Sequence, residues 1–484
     1  MKRFLSLFMA LMMVVVLFAS CNNNVDDDEQ ITTVATTTVA ATTTAATTDP
    51  EPEPVPVPTI TVDLAKFSIV YSEADHDYSQ RAAEYIKSEI QAMTELDLPL
   101  IKDTDPAAEY EIVVGETSRE VSTRLDAETK NVEFAILAEE KQIALEGDYF
   151  IIAAAAYFFV NTYVSEDSNN ATIPEGVYVH EPIQEKAENF IILIGDGMGV
   201  NQTRLFEKLE NTKTFSDGED IFYGYYLPNQ GFSRTDSLSG TTDSAAGGTA
   251  LSCGYKTRNE YVGQDKNHNA LQSITELAST LGKSTAVMST EVSTGATPSA
   301  FSAHVDNRGL SSSILADQAE LTERYGTIIN CGFEEIYDVP NVANIEAAIT
   351  STLGTLEQDE DGFFLMYEEA YIDKNCHSNI TAKAYFAIIR FNQAIALFME
   401  YAFYHPNTFV LITADHETGG LTKDFKYTST DHTSANVPIF AYGDGSDLFA
   451  GQTVENIQIP QTIASFMGVD TFGDQTTFKP LKRD

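Results

Sequence analysis

The chain has 484 residues, 43% of them hydrophobic and 10% aromatic. That is longer than one ordinary domain and apolar enough to bury a sizeable core, so a wholly disordered chain is excluded. Lys and Arg number 29 against 72 Asp and Glu, a formal net charge of −43, which excludes nucleic-acid binding because phosphate contacts need a basic face. Such an acidic surface serves solubility and also suits a protein that collects cations.

Lys2 and Arg3 precede an apolar run over residues 4–19, the pattern of a secretory signal over 1–20. The run falls short of the roughly 20 residues a spanning helix needs, and no later segment is apolar enough to span. Phe18-Ala19-Ser20-Cys21 resembles a bacterial lipobox, with Phe where Leu is usual. It predicts a lipidated Cys21; the alternative is an ordinary signal with an incidental Cys. Residues 21–59 read as a tether, first rich in Thr and Ala, then alternating Pro with acidic residues and Val. Such sequence cannot pack a core, and its Pro half predicts a stiff polyproline spacer. The expected location is exported and lipid-anchored, at the outer face of a bacterial membrane or the cell surface, with membrane contact only through that lipid. The remaining Cys253, Cys331 and Cys376 form no CxxC pair, and their odd number leaves at least one thiol unpaired.

Residues 60–185 read as a small α/β accessory domain. Strands are predicted at 67–71, 112–115 and 143–145, with an alternating strand through Val132, Phe134 and Ile136. A helix over 79–96 places Ala82, Ile86, Ile90 and Met93 on one face, and another covers 149–163. The pattern, though no motif, is similar to accessory domains that precede the catalytic domains of some family 20 hexosaminidases and α-glucuronidases. It contains no catalytic constellation, and His76 reads as a surface loop residue.

From 188 to 484, apolar runs at 190–194, 363–367 and 409–414 end respectively in Asp196 after Gly195, in Glu368, and in Asp415-His416. Near-continuous apolar strands between helical segments predict a parallel sheet covered on both faces, and such sheets place sites at their C-terminal strand ends. Each carboxylate alone could be a helix N-cap; their recurrence points to a metal site. The candidate ligands are Asp196, Glu368, Asp373, His377, Asp415, His416 and His432. Asp373 and His377 share one helical face if the segment is helical. Nitrogen and oxygen ligands without thiolate suit zinc, and a carboxylate and hydroxyl set suits magnesium. His180, His268, His304 and His405 lack this setting and read as structural or surface residues. Within Thr242-Asp243-Ser244-Ala245-Ala246-Gly247-Gly248-Thr249-Ala250, Ser244 would open a helix of small residues, beside unpaired N–H groups that favour an anion. A plain N-cap also satisfies that pattern.

Gly195-Asp196-Gly197-Met198-Gly199, the Ser244 segment, Ala296-Thr297-Pro298 through Arg308, Glu368 through His377, Thr413-Ala414-Asp415-His416 and His432-Thr433 together resemble the ordered motifs of the alkaline phosphatase family. The resemblance implies a doubly wound α/β fold with a mainly parallel central sheet, preceded here by the small α/β domain. It implies a first zinc on Asp373, His377 and His432 and a second on Asp415 and His416. Asp196 would bridge from the second zinc to a magnesium completed by Thr297 and Glu368. Ser244 would be the nucleophile and Arg308 the phosphate-binding fork, in hydrolysis of small phosphate monoesters through a phosphoserine. Related phosphodiesterases and sulfatases share the two-metal fold and remain an alternative, as does a degenerate surface binding protein.

Three departures from the family pattern stand out. Gly295 stands where Asp or His is usual beside the third metal, Glu369 where Gly is usual, and Asn375-Cys376 replaces a more polar pair. Lys374 matches a position whose Lys pairs with the carboxylate missing at 295. These departures predict a tight zinc pair and a weak magnesium, with Glu369 either turned inward to compensate or solvated at the surface.

Overall fold

Six strands of the N-terminal region form one sheet, in the order Leu100–Lys102, Ser68–Tyr71, Glu111–Val114, Gln142–Glu146, Phe134–Ala138 and Gly176–His180. The first four run parallel; Phe134–Ala138 runs antiparallel to both its neighbours. Helix Tyr78–Thr94 buries Ala82, Ala83, Ile86 and Ile90 on one stripe. The strand predicted to alternate is buried at all five positions. Phe134, Ile136 and Ala138 face the helices on one side, while Ala135 and Leu137 pack with Val121 and Leu125 on the other. A strand covered on both faces has no polar side, so the alternation expected of it is absent.

This computed structural model describes residues 57–483, apart from 75–76, 126–128, 167, 206–220 and 334–341. The expected signal, the lipidated Cys21, nearly all of the tether and His76 lie outside the described residues.

The second sheet has eight strands, in the order Ile328–Cys331, Ser284–Ser289, Phe363–Glu369, Asn189–Gly195, Thr408–Thr413, Val437–Tyr442, Asn229–Arg234 and Thr453–Glu455. The first five are mutually parallel, and Val437–Tyr442 is antiparallel to both its neighbours. Alternate side chains of one strand feed two cores. Ile191 and Leu193 pack with Phe391 and Ile395 of the long helix Thr381–Tyr404, while Phe190, Ile192 and Ile194 pack with Leu251, Ile459 and Ile463. Helices therefore cover both faces, as a doubly wound sheet requires.

The chain passes from the small sheet to the large one between His180 and Asn189, and Val57–Asp484 forms one compact unit. Ile69 and Phe150 belong to the same hydrophobic core as Leu193 and Phe391. Glu400 of the long helix receives both Nε and Nη2 of Arg81 at 2.8 Å, and the Tyr85 and Tyr404 rings stack at 4.3 Å. No helix among the described residues is long and apolar enough to cross a membrane.

Candidate active site

The adjacent strands Phe363–Glu369, Asn189–Gly195 and Thr408–Thr413 end side by side, so Glu368, Asp196 and Asp415 converge at one edge of the sheet. Gly197 follows Asp196 with φ 72°, and a Cβ there would lie 2.8 Å from both Asp373 Cα and Thr418 Oγ1. Only glycine satisfies both the left-handed backbone and that close approach.

Helix Tyr371–His377 carries Asp373 and His377 on one face, and His432 reaches them from the short strand His432–Thr433. Ligand atoms of these three lie within 4.8 Å of one another. His377 Nε2 and His432 Nε2 face each other at 3.0 Å, and lie 3.4 and 3.5 Å from the Asp373 carboxylate oxygens. Their other ring nitrogens are anchored by backbone carbonyls, His377 Nδ1 at 2.5 Å from Thr430 and His432 Nδ1 at 2.9 Å from Thr242. This fixes both rings with Nε2 inward, as outer-shell partners do for metal-bound histidines. The hydrogen bond with Asp373 lifts the His377 imidazole to about 9. Burial opposes ionisation of Asp373, but bonds from His377 and His432 hold its carboxyl well below the usual range.

The second group is Asp196, Asp415 and His416, again with ligand atoms within 4.8 Å and all three buried. His416 Nε2 lies 3.2 Å from Asp415 Oδ2 and 3.5 Å from Asp196 Oδ1. Thr418 joins the two groups: its hydroxyl donates to Asp373 Oδ1 at 2.5 Å and sits 3.2 Å from His416 Nδ1. Burial lowers the His416 pKa. Burial, then the charges of Asp415, Asp373, Glu368 and Glu291, push the Asp196 carboxyl well above the usual range.

Thr297, on helix Ala296–Ala300, and Glu368 complete the expected third set. Ser289 Oγ donates to Glu368 Oε2 at 2.5 Å, and burial followed by the Glu291 charge raises the Glu368 carboxyl. Asp196 Oδ1, Glu368 Oε1, Asp415 Oδ2 and Thr297 Oγ1 are all buried without a hydrogen-bond partner. Buried oxygens are normally paired, and uncompensated buried carboxylates are costly. Cations held by these oxygens would satisfy them, so the donor set fits metal ions.

Ser244 begins the helix Ser244–Cys253 as its first helical residue, and the cap is Asp243, whose Oδ1 accepts the Ala246 N–H at 3.0 Å. The helix is buried along its whole length, which its small residues allow. Ser244 Oγ lies 3.2 Å from His416 Nε2. Asp243 Oδ2 also accepts the Glu260 N–H at 2.9 Å and lies 3.5 Å from Arg308 Nη1. The cap thus ties the partly exposed Arg308 to the Ser244 helix. The cap is Asp243 rather than Ser244, which the place of Asp243 before the helix of small residues signals in the sequence; nothing in the sequence marks Thr418.

Glu369 is neither turned inward nor solvated, as both expectations had it. It is fully buried and receives Arg390 Nη2 at 2.6 Å and Nε at 3.2 Å. Asn375 Nδ2 donates to the Lys383 carbonyl at 3.1 Å, and Cys376 is buried 3.6 Å from the Tyr427 hydroxyl. Cys253, Cys331 and Cys376 are all free thiols. His180, His268, His304 and His405 pair with Tyr163, Asp306, Glu276 and the Tyr401 carbonyl, away from the site.

The Alkaline phosphatase family model matches residues 187–339 and 339–428. Alkaline phosphatase 4 of Bacillus subtilis (strain 168) is 29% identical over 293 residues, covering 49% of this chain and 64% of that protein. The alkaline phosphatase of Schizosaccharomyces pombe is 31% identical over 314 residues, covering 49% of this chain and 57% of that one. The chain thus spans less than two thirds of the length of these curated relatives. The solved alkaline phosphatase of the Antarctic bacterium TAB5 superposes with a TM-score of 0.51 at 27% identity, covering 59% of this chain and 99% of that one. The family model, the curated relatives and the solved structure point to the same family, and the chain belongs to the alkaline phosphatase family.

Proposed function

We propose that the protein hydrolyses small phosphate monoesters through a phosphoserine on Ser244. The observation that carries this reading is the approach of Ser244 Oγ to His416 Nε2 at 3.2 Å, at a helix start flanked by two metal-competent groups. Zinc ions on Asp373, His377 and His432 and on Asp415, His416 and Asp196, with magnesium on Asp196, Thr297 and Glu368, would clamp the attacking and leaving oxygens and favour the serine alkoxide. A magnesium-bound structure of a TAB5 alkaline phosphatase mutant supports the third ion.

Arg308 offers a planar fork that fits two non-bridging phosphate oxygens, and Asp243 holds it over the helix start. Ser244 Oγ attacks phosphorus in line and gives up its proton; the phosphorus–oxygen bond to the alcohol breaks and the alcohol oxygen is protonated. Water then attacks the phosphoserine, releasing inorganic phosphate and restoring the Ser244 hydroxyl. The N–H groups and dipole of the Ser244 helix favour the phosphate charge in both steps.

Acid-quenched labelling with radioactive phosphate tests the reading: wild type should retain label and Ser244→Ala should not, with fold and metal content unchanged. Equal label in the two, or faster turnover of bis-p-nitrophenyl phosphate than of p-nitrophenyl phosphate, overturns it. The second outcome would favour a phosphodiesterase. Export and lipidation at Cys21 belong to the same proposal and rest on residues 1–59 of the sequence alone. Release of a Cys21→Ala variant from the membrane fraction checks them.

A further inference from the structure

Gly295 has φ −57° and ψ 156°, a conformation open to any residue. The backbone does not demand glycine there; the space does. A Cβ built on Gly295 would fall on the Glu291 carboxylate, Oε1 first. A side chain at 295 could enter only by displacing the Glu291 carboxylate, and in this chain Glu291 occupies the volume.

Glu291 follows the end of strand Ser284–Ser289, the same pattern that delivers Asp196, Glu368 and Asp415 to the site edge. Its side chain is 14% exposed, and its Oε2 accepts from Lys374 Nζ at 2.5 Å. Its N–H donates to Ser289 Oγ at 3.0 Å, and that hydroxyl donates in turn to Glu368 Oε2 at 2.5 Å. Lys374 lies next to Asp373 in the chain, and Gly295 lies two residues before Thr297. Glu291 thus stands among the groups that would hold the third ion, where Glu368 Oε1 and Thr297 Oγ1 are buried without partners.

We infer that Glu291 supplies, from position 291, the carboxylate that the third cation site lacks at position 295, with Lys374 holding its outer oxygen. The inference rests on reading the site as a metal centre. The ion it serves is a hard divalent cation that prefers oxygen ligands, magnesium above all. Weak magnesium was expected because Gly295 carries no side chain, and the Glu291 carboxylate removes that premise.

The test is a calorimetric titration of the zinc-loaded full chain with Mg²⁺, with zinc content measured in parallel. Glu291→Gln keeps the shape and removes the charge, and should weaken magnesium 10- to 100-fold, the usual size of an outer-shell loss, while zinc content stays. Gly295→Asp alone should not tighten magnesium, because the new carboxylate takes the volume only by displacing that of Glu291. The swap Glu291→Ala with Gly295→Asp should return affinity towards wild type, and it keeps the test alive if Glu291→Gln folds poorly. Unchanged magnesium affinity in Glu291→Gln, or tighter binding in Gly295→Asp alone, overturns the inference and leaves the zinc centre standing. Wild type that binds neither metal overturns the metal-centre reading itself, and this inference with it.

Discussion

The two sheets treat buried charge in opposite ways. In the small sheet, Glu111 is buried and Arg119 Nε meets it at 3.2 Å. Asp103, at a strand end, accepts the N–H groups of Glu73 and Ser118 at 3.1 and 2.8 Å. At the edge of the large sheet, Asp196, Glu368 and Asp415 each keep a buried oxygen without a hydrogen-bond partner, and two histidine Nε2 atoms face one another at 3.0 Å. Internal pairing makes a framework, whereas buried ligand groups that converge without pairing one another make a donor set suited to cations. The contrast separates scaffold from site without reference to any relative.

The largest expected effect comes from stripping metals from the large-sheet edge. Chelation should abolish turnover and lower the unfolding temperature, and restoring a metal at 1,000 times its dissociation constant should return about 4 kcal/mol of stability. Thermal unfolding followed through a zinc titration checks this. An unfolding temperature indifferent to metal would break the comparison.

Next is the pair behind the site. Arg390→Met leaves Glu369 buried and unpaired, and should cost about 3–5 kcal/mol by urea denaturation. Adding Glu369→Gln should recover part of that loss.

Within the small sheet, Ile86→Ala opens a cavity under the helix Tyr78–Thr94 and should cost about 2–5 kcal/mol. The kcat/KM per folded molecule should not change, since no residue of that sheet reaches Ser244. A fall in kcat/KM at full folding would show that the shared core transmits to the site.

The smallest effect should be the acid response of His180, which packs against Phe134 and Phe158. Burial pushes its imidazole down to about 4, so the folded state prefers the neutral ring. Its stability contribution is whole above the ordinary pKa of about 6.5 and is lost as pH falls from there towards 4. Unfolding measured from pH 7 to 4 should show a shallower decline for His180→Phe than for wild type.

Much of this was legible in the sequence. Apolar runs that stop at Asp196, Glu368 and Asp415 read directly as parallel strands with ligands at one edge, because burial on both faces leaves no polar position until the strand ends. Asp373 and His377 were placed by helical spacing alone. The resemblance of the ordered motifs alone supplied Thr297 and Arg308, which no periodicity marks, while Ser244 and His432 were already candidates by residue type and position.

What the sequence determined by itself was three strands of the large sheet, the edge at which they end and the carboxylates delivered there, since these depend on local periodicity and chain order; the other five strands of that sheet carry no comparable apolar run into a ligand. Only the tertiary structure decided how neighbouring charges divide. Glu368 and Glu369 are adjacent, yet side chains alternate along a strand. One therefore faces the site and the other meets Arg390 under the long helix. The carboxylate beside Gly295 likewise comes from Glu291, because the space above a glycine is filled by whichever side chain the fold brings there. Pairing across such distances is set by packing, and packing leaves no periodic trace in the chain.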